Sequence, residues 1–192
     1  MSRIYTQDKT FDKNNFTENN LEKGEYENCT FTNCNFANSD LSDILFIDCA
    51  FINCNLSLVK LTKTTLQDIQ FKECKLVGVT FENCNSFGLS FSFNNCILNH
   101  ASFYKLKIKK THFKDSQLQE TDFTECDLAQ ANFDNCDLKK AIFDNTIIEK
   151  ADFSTSYNYS INLEKTSCRK ATFSFSGIAG LLDKYGIEIK QS

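Results

Sequence analysis

Residues 121–135 read TDFTECDLAQANFDN, and this stretch decides the fold because it contains three five-residue units in succession. The central residue of each unit is large and apolar: Phe123, Leu128 and Phe133. Two positions earlier stands a small residue: Thr121, Cys126 and Ala131. A period of five fits neither an α-helix nor an alternating β-strand. It fits a coil in which each side consumes five residues.

The same period runs through most of the chain. Every fifth residue from Phe11 to Phe81 is large and apolar, without exception. The register then breaks, resumes two residues later at Phe93, and weakens towards Ile178. The two extra residues fall within 82–92, where we expect a bulge on one face or corner of the coil.

The composition agrees with a coil that has a narrow, filled interior. The chain has 192 residues, with 19 Phe, 10 Cys and no Pro. Proline is unfavourable where nearly every backbone N–H donates to a ladder or lies in a tight corner. The apolar runs are too short for a membrane-spanning helix, and the N-terminus lacks the apolar stretch of a secretion signal. We therefore expect a cytoplasmic protein that does not contact a membrane.

Units such as Ala131-Asn-Phe-Asp-Asn135 resemble the A(D/N)LXX unit of the pentapeptide-repeat family. The resemblance implies an all-β fold, a right-handed quadrilateral parallel β-helix with four units per coil, over residues 1–178. One face of such a coil collects nine phenylalanines, which we expect to form a structural ladder: Phe11, Phe31, Phe51, Phe71, Phe93, Phe113, Phe133, Phe153 and Phe173. Strands in a ladder lie ~4.8 Å apart, so the rings would stack on one another.

Residues 179–192 leave the five-residue period and are predicted to cap the coil. Residues 179–185 are typical of a short amphipathic helix, and Gly186 is a stop signal. A two-faced strand is predicted next, with Ile187 and Ile189 on one side. An apolar cap is also a candidate dimerisation module.

The sequence contains no pattern that indicates catalysis, a cofactor or a metal. Nine of the ten cysteines occupy the small inward position, which favours a role as buried filler. The C-x-x-C spacing typical of zinc sites does not occur. His100 and His112 occupy outward positions without a neighbouring nucleophile, and no phosphate or dinucleotide loop is present. We expect a non-enzyme without catalytic residues, cofactor or metal.

The formal net charge of −4 is unevenly distributed. Residues 60–114 carry nine bases and three acids, whereas residues 115–138 carry seven acids and no base. The seven acids are Asp115, Glu120, Asp122, Glu125, Asp127, Asp134 and Asp137. The resulting charged bands are either solvated outer positions or a surface that docks on a charged protein partner. The basic cluster lacks interleaved aromatic residues, so direct nucleic-acid binding is not expected.

Within the family, the stretches Asn28-Cys-Thr-Phe-Thr-Asn-Cys-Asn-Phe36 and Leu181-Leu-Asp-Lys-Tyr-Gly-Ile187 resemble the quinolone-resistance (Qnr) proteins. Those relatives are dimers joined at their C-terminal ends, and they form acidic rods that mimic B-form DNA. The resemblance implies binding to DNA gyrase or topoisomerase IV through the seven acids, and protection against quinolones. It also implies a homodimer interface: Leu181, Leu182, Tyr185, Ile187 and Ile189. The alternative is a scaffold or regulatory module with a different cytoplasmic partner.

Overall fold

The computed structural model describes residues 4–190 as a solenoid of short parallel strands. The strands are β1 (Ile4–Gln7), β2 (Thr10–Asp12), β3 (Gly24–Glu27), β4 (Thr30–Thr32), β5 (Leu45–Ile47), β6 (Ala50–Ile52), β7 (Thr65–Gln67), β8 (Ile69–Lys72), β9 (Phe91–Asn94), β10 (His112–Lys114), β11 (Asn132–Asp134), β12 (Asp152–Phe153) and β13 (Thr172–Phe173). One sheet has the order β1-β3-β5-β7, and the other has the order β13-β12-β11-β10-β9-β8-β6-β4-β2. The predicted all-β solenoid is confirmed, with about eight turns.

Residues 20 positions apart stack, so each turn has four faces of five residues. Phe31 pairs with Phe51 on β4 and β6, and Asn35 forms a bridge with Asn55. We name the faces A, B, C and D in chain order. Faces A to D begin at residues 9, 14, 19 and 24, and after the register shift at residues 91, 96, 101 and 106. Face A contains the nine-stranded sheet and face D the four-stranded sheet.

The interior contains two long stacks of aromatic rings beside columns of aliphatic side chains. On face A the nine rings from Phe11 to Phe173 form a continuous stack, with neighbouring centroids 4.6 to 5.3 Å apart. Face C adds a second stack that includes Phe103 and Phe123, whose centroids are 5.3 Å apart. The two stacks meet edge to face, as in the contact of Phe103 with Phe113 at 5.9 Å and 86°. Both geometries are favourable for aromatic pairs.

Most faces end in a corner residue with a positive φ. Examples are Asn33 with φ of 56° and Asn53 with φ of 51°. Asn and Asp adopt this conformation more readily than other non-glycine residues. Their side chains also join successive coils, because the Asn53 amide donates to Asn33 at 2.7 Å and the Asn33 amide donates to Asp12 at 2.9 Å.

The register shift is a longer turn of face D, residues 84–90. Phe71 pairs with Phe93 across it, 22 positions apart instead of 20. Gly88 has a φ of 68° in this turn, and a Cβ there would lie 2.3 Å from the side-chain amide of Gln67. The turn presents Phe87 to solvent with 80% of its surface exposed.

A helical cap follows β13. It consists of the 3-10 turn Phe175–Gly177, the helix α1 (Ala179–Leu182) and the 3-10 turn Asp183–Tyr185, while a further 3-10 turn spans Phe81–Asn83. Gly186, with φ of 60°, ends the cap at the predicted position. The coil ends slightly earlier than predicted, because the chain turns away at Phe175 and leaves Ile178 41% exposed.

The strand predicted at Ile187 and Ile189 is not formed. Residues 187–190 have no strand pairing within the described part of the chain. A strand needs a neighbour for its backbone N–H and C=O groups, and the single chain offers none at this end. Residues 1–3 and 191–192, which belong to the predicted ranges 1–178 and 179–192, lie outside the described residues.

Candidate protein-interaction surfaces

Seven of the nine buried cysteines donate hydrogen bonds within the wall of the coil. The Cys136 thiol donates to the Phe113 carbonyl of the preceding coil, with an Sγ to O distance of 3.4 Å. The Thr146 hydroxyl makes the equivalent bond to the Phe123 carbonyl at 2.8 Å. The small inward position therefore suits compact side chains that can satisfy a buried carbonyl, which explains why Cys, Ser and Thr recur there.

These thiols are poorly suited to reaction or to metal binding. Burial raises the pKa of the Cys49 and Cys136 thiols to about 12, so both stay protonated at neutral pH. All ten cysteines are free. Within residues 4–190, no group of three or more His, Cys, Asp and Glu side chains is placed to hold a metal ion.

The two histidines lie on the outer surface. His100 is a corner residue whose Nδ1 lies 3.4 Å from the Glu120 carboxylate on the next coil. His112 is exposed on β10 of face A. Across the described chain, neither side chain hydrogen-bonds to a serine or cysteine, so the pairing of a nucleophile with its base is not formed.

The seven acids of residues 115–138 encircle the coil instead of sharing one side. Successive five-residue units lie on successive faces, so that one and a quarter turns of acids cover all four faces. The faces A, B, C and D carry Asp134, Asp137, Asp122 and Asp127, and the corners carry Asp115, Glu120 and Glu125.

Groups on neighbouring coils already contact many of these carboxylates. Glu125 forms an ion pair with Lys105 at 3.5 Å, and Asp127 forms one with Lys109 at 3.1 Å. Glu120 also forms an ion pair with Lys140 at 3.4 Å and contacts His100 Nδ1 at 3.4 Å. Further contacts are the hydrogen bonds Gln119 to Asp137, Asn135 to Asp115 and Thr155 to Asp134. The basic band thus neutralises part of the acidic band where the two meet.

The C-terminal end presents apolar side chains to solvent. Of the predicted interface residues, Tyr185, Ile187 and Ile189 are each more than half exposed. Leu182 is half-buried, and Leu181 packs against the core, so Leu181 closes the end of the coil.

Two further apolar residues at this end are missed by the sequence prediction. Phe175 is 91% exposed and Ile178 is 41% exposed. Together with Leu182 and Ile189 they line one groove, which we call the C-terminal patch. The sequence does contain a signal for Phe175, because it stands at the corner position of its unit, where most units carry a polar residue.

Tyr159 holds the cap against the last coil. Its ring is 4% exposed and lies 5.6 Å from the ring of Phe173. The Ile161 N–H donates to the Gly180 carbonyl at 3.0 Å. A Cβ on Gly180 would lie 1.9 Å from the Tyr159 carbonyl oxygen, so only glycine fits this close approach.

Glu164 adds a polar contact between the coil and the cap. It forms an ion pair with Lys184 and accepts a hydrogen bond from the Tyr185 hydroxyl at 3.1 Å. The bond from Lys184, followed by that from Tyr185, lowers the pKa of the Glu164 carboxyl.

The repeat, the stacked interior and the corners define a pentapeptide-repeat solenoid. The chain belongs to the pentapeptide-repeat family, because the family model described as a pentapeptide repeat region matches residues 24–92 and 89–173. No curated protein sequence matches the chain. No helix among residues 4–190 is long and apolar enough to cross a membrane.

Solved structures match the chain at low sequence identity, and the first of them supports the fold. Full-length QnrB1, a plasmid-mediated fluoroquinolone resistance protein, matches with a TM-score of 0.55 and 16% identity over 96% of this chain and 100% of that one. A trypsin-treated form of QnrB1 has a TM-score of 0.49 and 19% identity over 98% of both chains. HetL, a pentapeptide repeat protein involved in heterocyst differentiation regulation from the cyanobacterium Nostoc, has a TM-score of 0.37 and 15% identity over 91% of this chain and 89% of that one.

Proposed function

We propose that this chain is a non-catalytic protein-binding rod that pairs with a second copy through its C-terminal end. The C-terminal patch is the observation that carries this proposal, because Phe175 is almost fully exposed in the single chain. An apolar surface at the open end of a solenoid favours association. The interior is filled by aromatic and aliphatic side chains, so binding must use the outward residues.

Residues 187–190 support the same arrangement. They leave Ile187 and Ile189 exposed and form no strand pairing in the described chain. A two-fold axis at the C-terminal end would let this segment pair as a strand with the same segment of the second copy. The pairing would also cover Phe175 and Ile178.

The pairing is tested by the mass of Phe175→Asp in solution, measured by light scattering. A buried aspartate at the interface costs several kcal/mol, about enough to separate a micromolar dimer. Leu58→Asp is the matched control, because Leu58 is 57% exposed and stands at a corner with φ of 55° that aspartate tolerates. A monomeric wild-type chain, or a Phe175→Asp variant that keeps the dimer mass, contradicts the proposal.

For the partner we propose DNA gyrase or topoisomerase IV, bound where DNA would otherwise lie. The support is the charged outer surface of a rod with the fold of full-length QnrB1, a fluoroquinolone resistance protein. The purified chain should inhibit gyrase supercoiling and change its sensitivity to ciprofloxacin. Glu120→Lys with Glu125→Lys should weaken that effect. Supercoiling that micromolar protein leaves unchanged eliminates this partner.

A different protein partner is the second candidate, and the charge density favours it. B-form DNA carries one charge per ~1.7 Å of axis, about 24 charges over a rod of ~40 Å. The net charge of this chain is only −4, and part of the acidic band is already paired. We infer a cytoplasmic location, because ten free thiols suit a reducing compartment. Affinity capture of one unrelated protein, with quinolone sensitivity unchanged, would support this candidate over gyrase.

A further inference from the structure

Face D separates opposite charges along the length of the rod. Its acidic half comprises the units 4–8, 24–28, 44–48 and 64–68, which contain five acids and no base. Its basic half comprises the units 106–110, 126–130, 146–150 and 166–170, which contain six bases and two acids. The turn 84–90, which has no charged residue, lies between the two halves.

The separation is clearest in the row of corner residues at the edge between faces D and A. In the acidic half this row reads Asp8, Asn28, Asp48 and Asp68, and in the basic half it reads Lys110, Gln130, Lys150 and Lys170. All eight residues have a positive φ and all eight are exposed. The row is therefore a line of solvent-facing side chains that changes sign at the middle of the rod.

The charged residues of this row form no ion pairs within residues 4–190. Elsewhere on the molecule opposite charges meet on consecutive coils, as in Lys23–Asp43 at 3.3 Å and Lys105–Glu125 at 3.5 Å. Face D has one such pair, Lys109–Asp127 at 3.1 Å within the basic half, but the acids and bases of the corner row are at least two coils apart and do not neutralise one another, since each coil adds ~4.8 Å.

We propose that face D binds face D of a second copy in antiparallel orientation. A two-fold axis that lies across the face at the turn 84–90 places each acidic half against the basic half of the other copy. This axis keeps the corner row on the same edge, so Asp68 meets Lys110 of the second copy and Asp8 meets its Lys170. A parallel arrangement would place acids against acids, which is repulsive.

Phe87 lies at the centre of this arrangement. It is 80% exposed, and the turn that carries it is fixed by a hydrogen bond from the Phe87 N–H to the Asn85 side chain at 3.2 Å. The two-fold axis would bring the Phe87 side chains of both copies together. Aromatic residues near the middle of an interface commonly supply most of its affinity.

The dimensions of the face predict a weak and salt-sensitive association. Eight coil spacings give a length of ~38 Å, and three extended residues give a width of ~10 Å. The contact is therefore about half the ~800 Å² that each partner contributes to a standard interface. Charge complementarity between exposed side chains is screened by salt. We expect the association constant to fall at least about tenfold between ~0.05 and ~0.5 M salt.

Two charge-reversal variants test the proposal by sedimentation of the full chain. The first is Asp8→Lys, Asp48→Lys and Asp68→Lys; the second is Lys110→Glu, Lys150→Glu and Lys170→Glu. Both variants are expected to fold, since Lys and Glu already occupy equivalent corners, as at Lys140 and Glu120, although each Asp→Lys change loses the tolerance of Asp for a positive φ. Each variant alone should lose the low-salt doubling of mass, and an equimolar mixture of the two should restore it. Phe87→Ser should weaken the doubling without changing unfolding.

The control is Glu73→Lys, Asp115→Lys and Glu120→Lys, which makes the same change in net charge at corners beside face B. It should keep the doubling. The inference is overturned if salt leaves the mass unchanged, if the mixture does not recombine, or if the control dissociates as fully as the first variant. The experiment compares the mass at low salt with the mass at high salt. The high-salt mass shows whether the C-terminal pair forms, and a doubling at low salt can be measured in either case.

Discussion

Replacing Phe113 by alanine tests whether the aromatic interior holds the solenoid together. Phe113 is fully buried in the middle of the face A stack. Its centroid lies 5.2 Å from that of Phe93 and 4.8 Å from that of Phe133, and it meets Phe103 and Phe123 edge to face. The substitution therefore removes four aromatic contacts at once.

The expected loss in the free energy of unfolding is large. Truncation of a buried Phe to Ala costs about 3–5 kcal/mol. Each aromatic pair contributes about 0.5–1.5 kcal/mol beyond its buried area. The rings above and below are fixed by strand pairing and cannot collapse into the cavity, so we expect about 4–5 kcal/mol, at the upper end of the range.

Urea unfolding followed by circular dichroism measures this loss. Phe87→Ala is the matched control, because Phe87 is 80% exposed and its loss should change stability by less than about 0.5 kcal/mol. Phe11→Ala provides an intermediate case, since Phe11 ends the stack and is only partly buried. If Phe113→Ala and Phe87→Ala differ by less than about 1 kcal/mol, the stack does not support the fold as described.

Three further predictions concern the wall and the cap. Cys136→Ser keeps the donor to the Phe113 carbonyl and should change stability by less than Cys136→Val, which loses this hydrogen bond at about 0.5–1.5 kcal/mol; urea midpoints compare them. Burial raises the pKa of Cys49 and Cys136 to about 12, above the unfolded value of about 8.5. The contribution of these protonated thiols to folding stability is therefore complete below pH ~8.5 and is lost as the pH rises towards ~12. Urea midpoints that stay constant from pH ~8 to pH ~10 would contradict this prediction. Because the pKa of Glu164 is lowered in the folded chain, its carboxylate stabilises the fold at pH values above its ordinary pKa of 4.5, and this stabilisation is lost as the pH falls below that value. Lys184→Met should reduce this acid dependence, which hydrogen exchange of α1 measures.

The period of five determines most of the fold, because each unit repeats the same choice of inward and outward residues. Stacking of residues 20 apart then follows from four units per turn, and the 22-residue step from Phe71 to Phe93 follows from the register shift. Where the repeat stops, prediction becomes less complete. The strand expected at Ile187 depends on a neighbour that the single chain does not contain. Phe175 stands at a corner position that the repeat leaves exposed, and the chain then turns into a 3-10 helix instead of forming another face.

The candidate surfaces are harder to predict from the sequence than the core, for a physical reason. A list of acids along the sequence does not reveal that consecutive units point in four directions, so Asp127 and Asp137 lie on different faces. Nor does it show which carboxylates meet a base on the next coil, as Asp127 meets Lys109. Charge on a solenoid must be compared at intervals of 20 residues, and that comparison identifies face D.

The corners show where the sequence departs from what the fold alone would favour. Of the 26 non-glycine residues with positive φ, half are Asn or Asp, which tolerate that conformation, and half are other types such as Lys and Glu. For an ordinary L-residue the left-handed region costs about 1–2 kcal/mol. Asn at positions 110, 150 and 170 would therefore suit the backbone better than the lysines found there. A local choice that opposes the fold indicates a role for the side chain itself. Lys stands at seven such corners, and what distinguishes positions 110, 150 and 170 is that they place their exposed positive charges along one edge of face D.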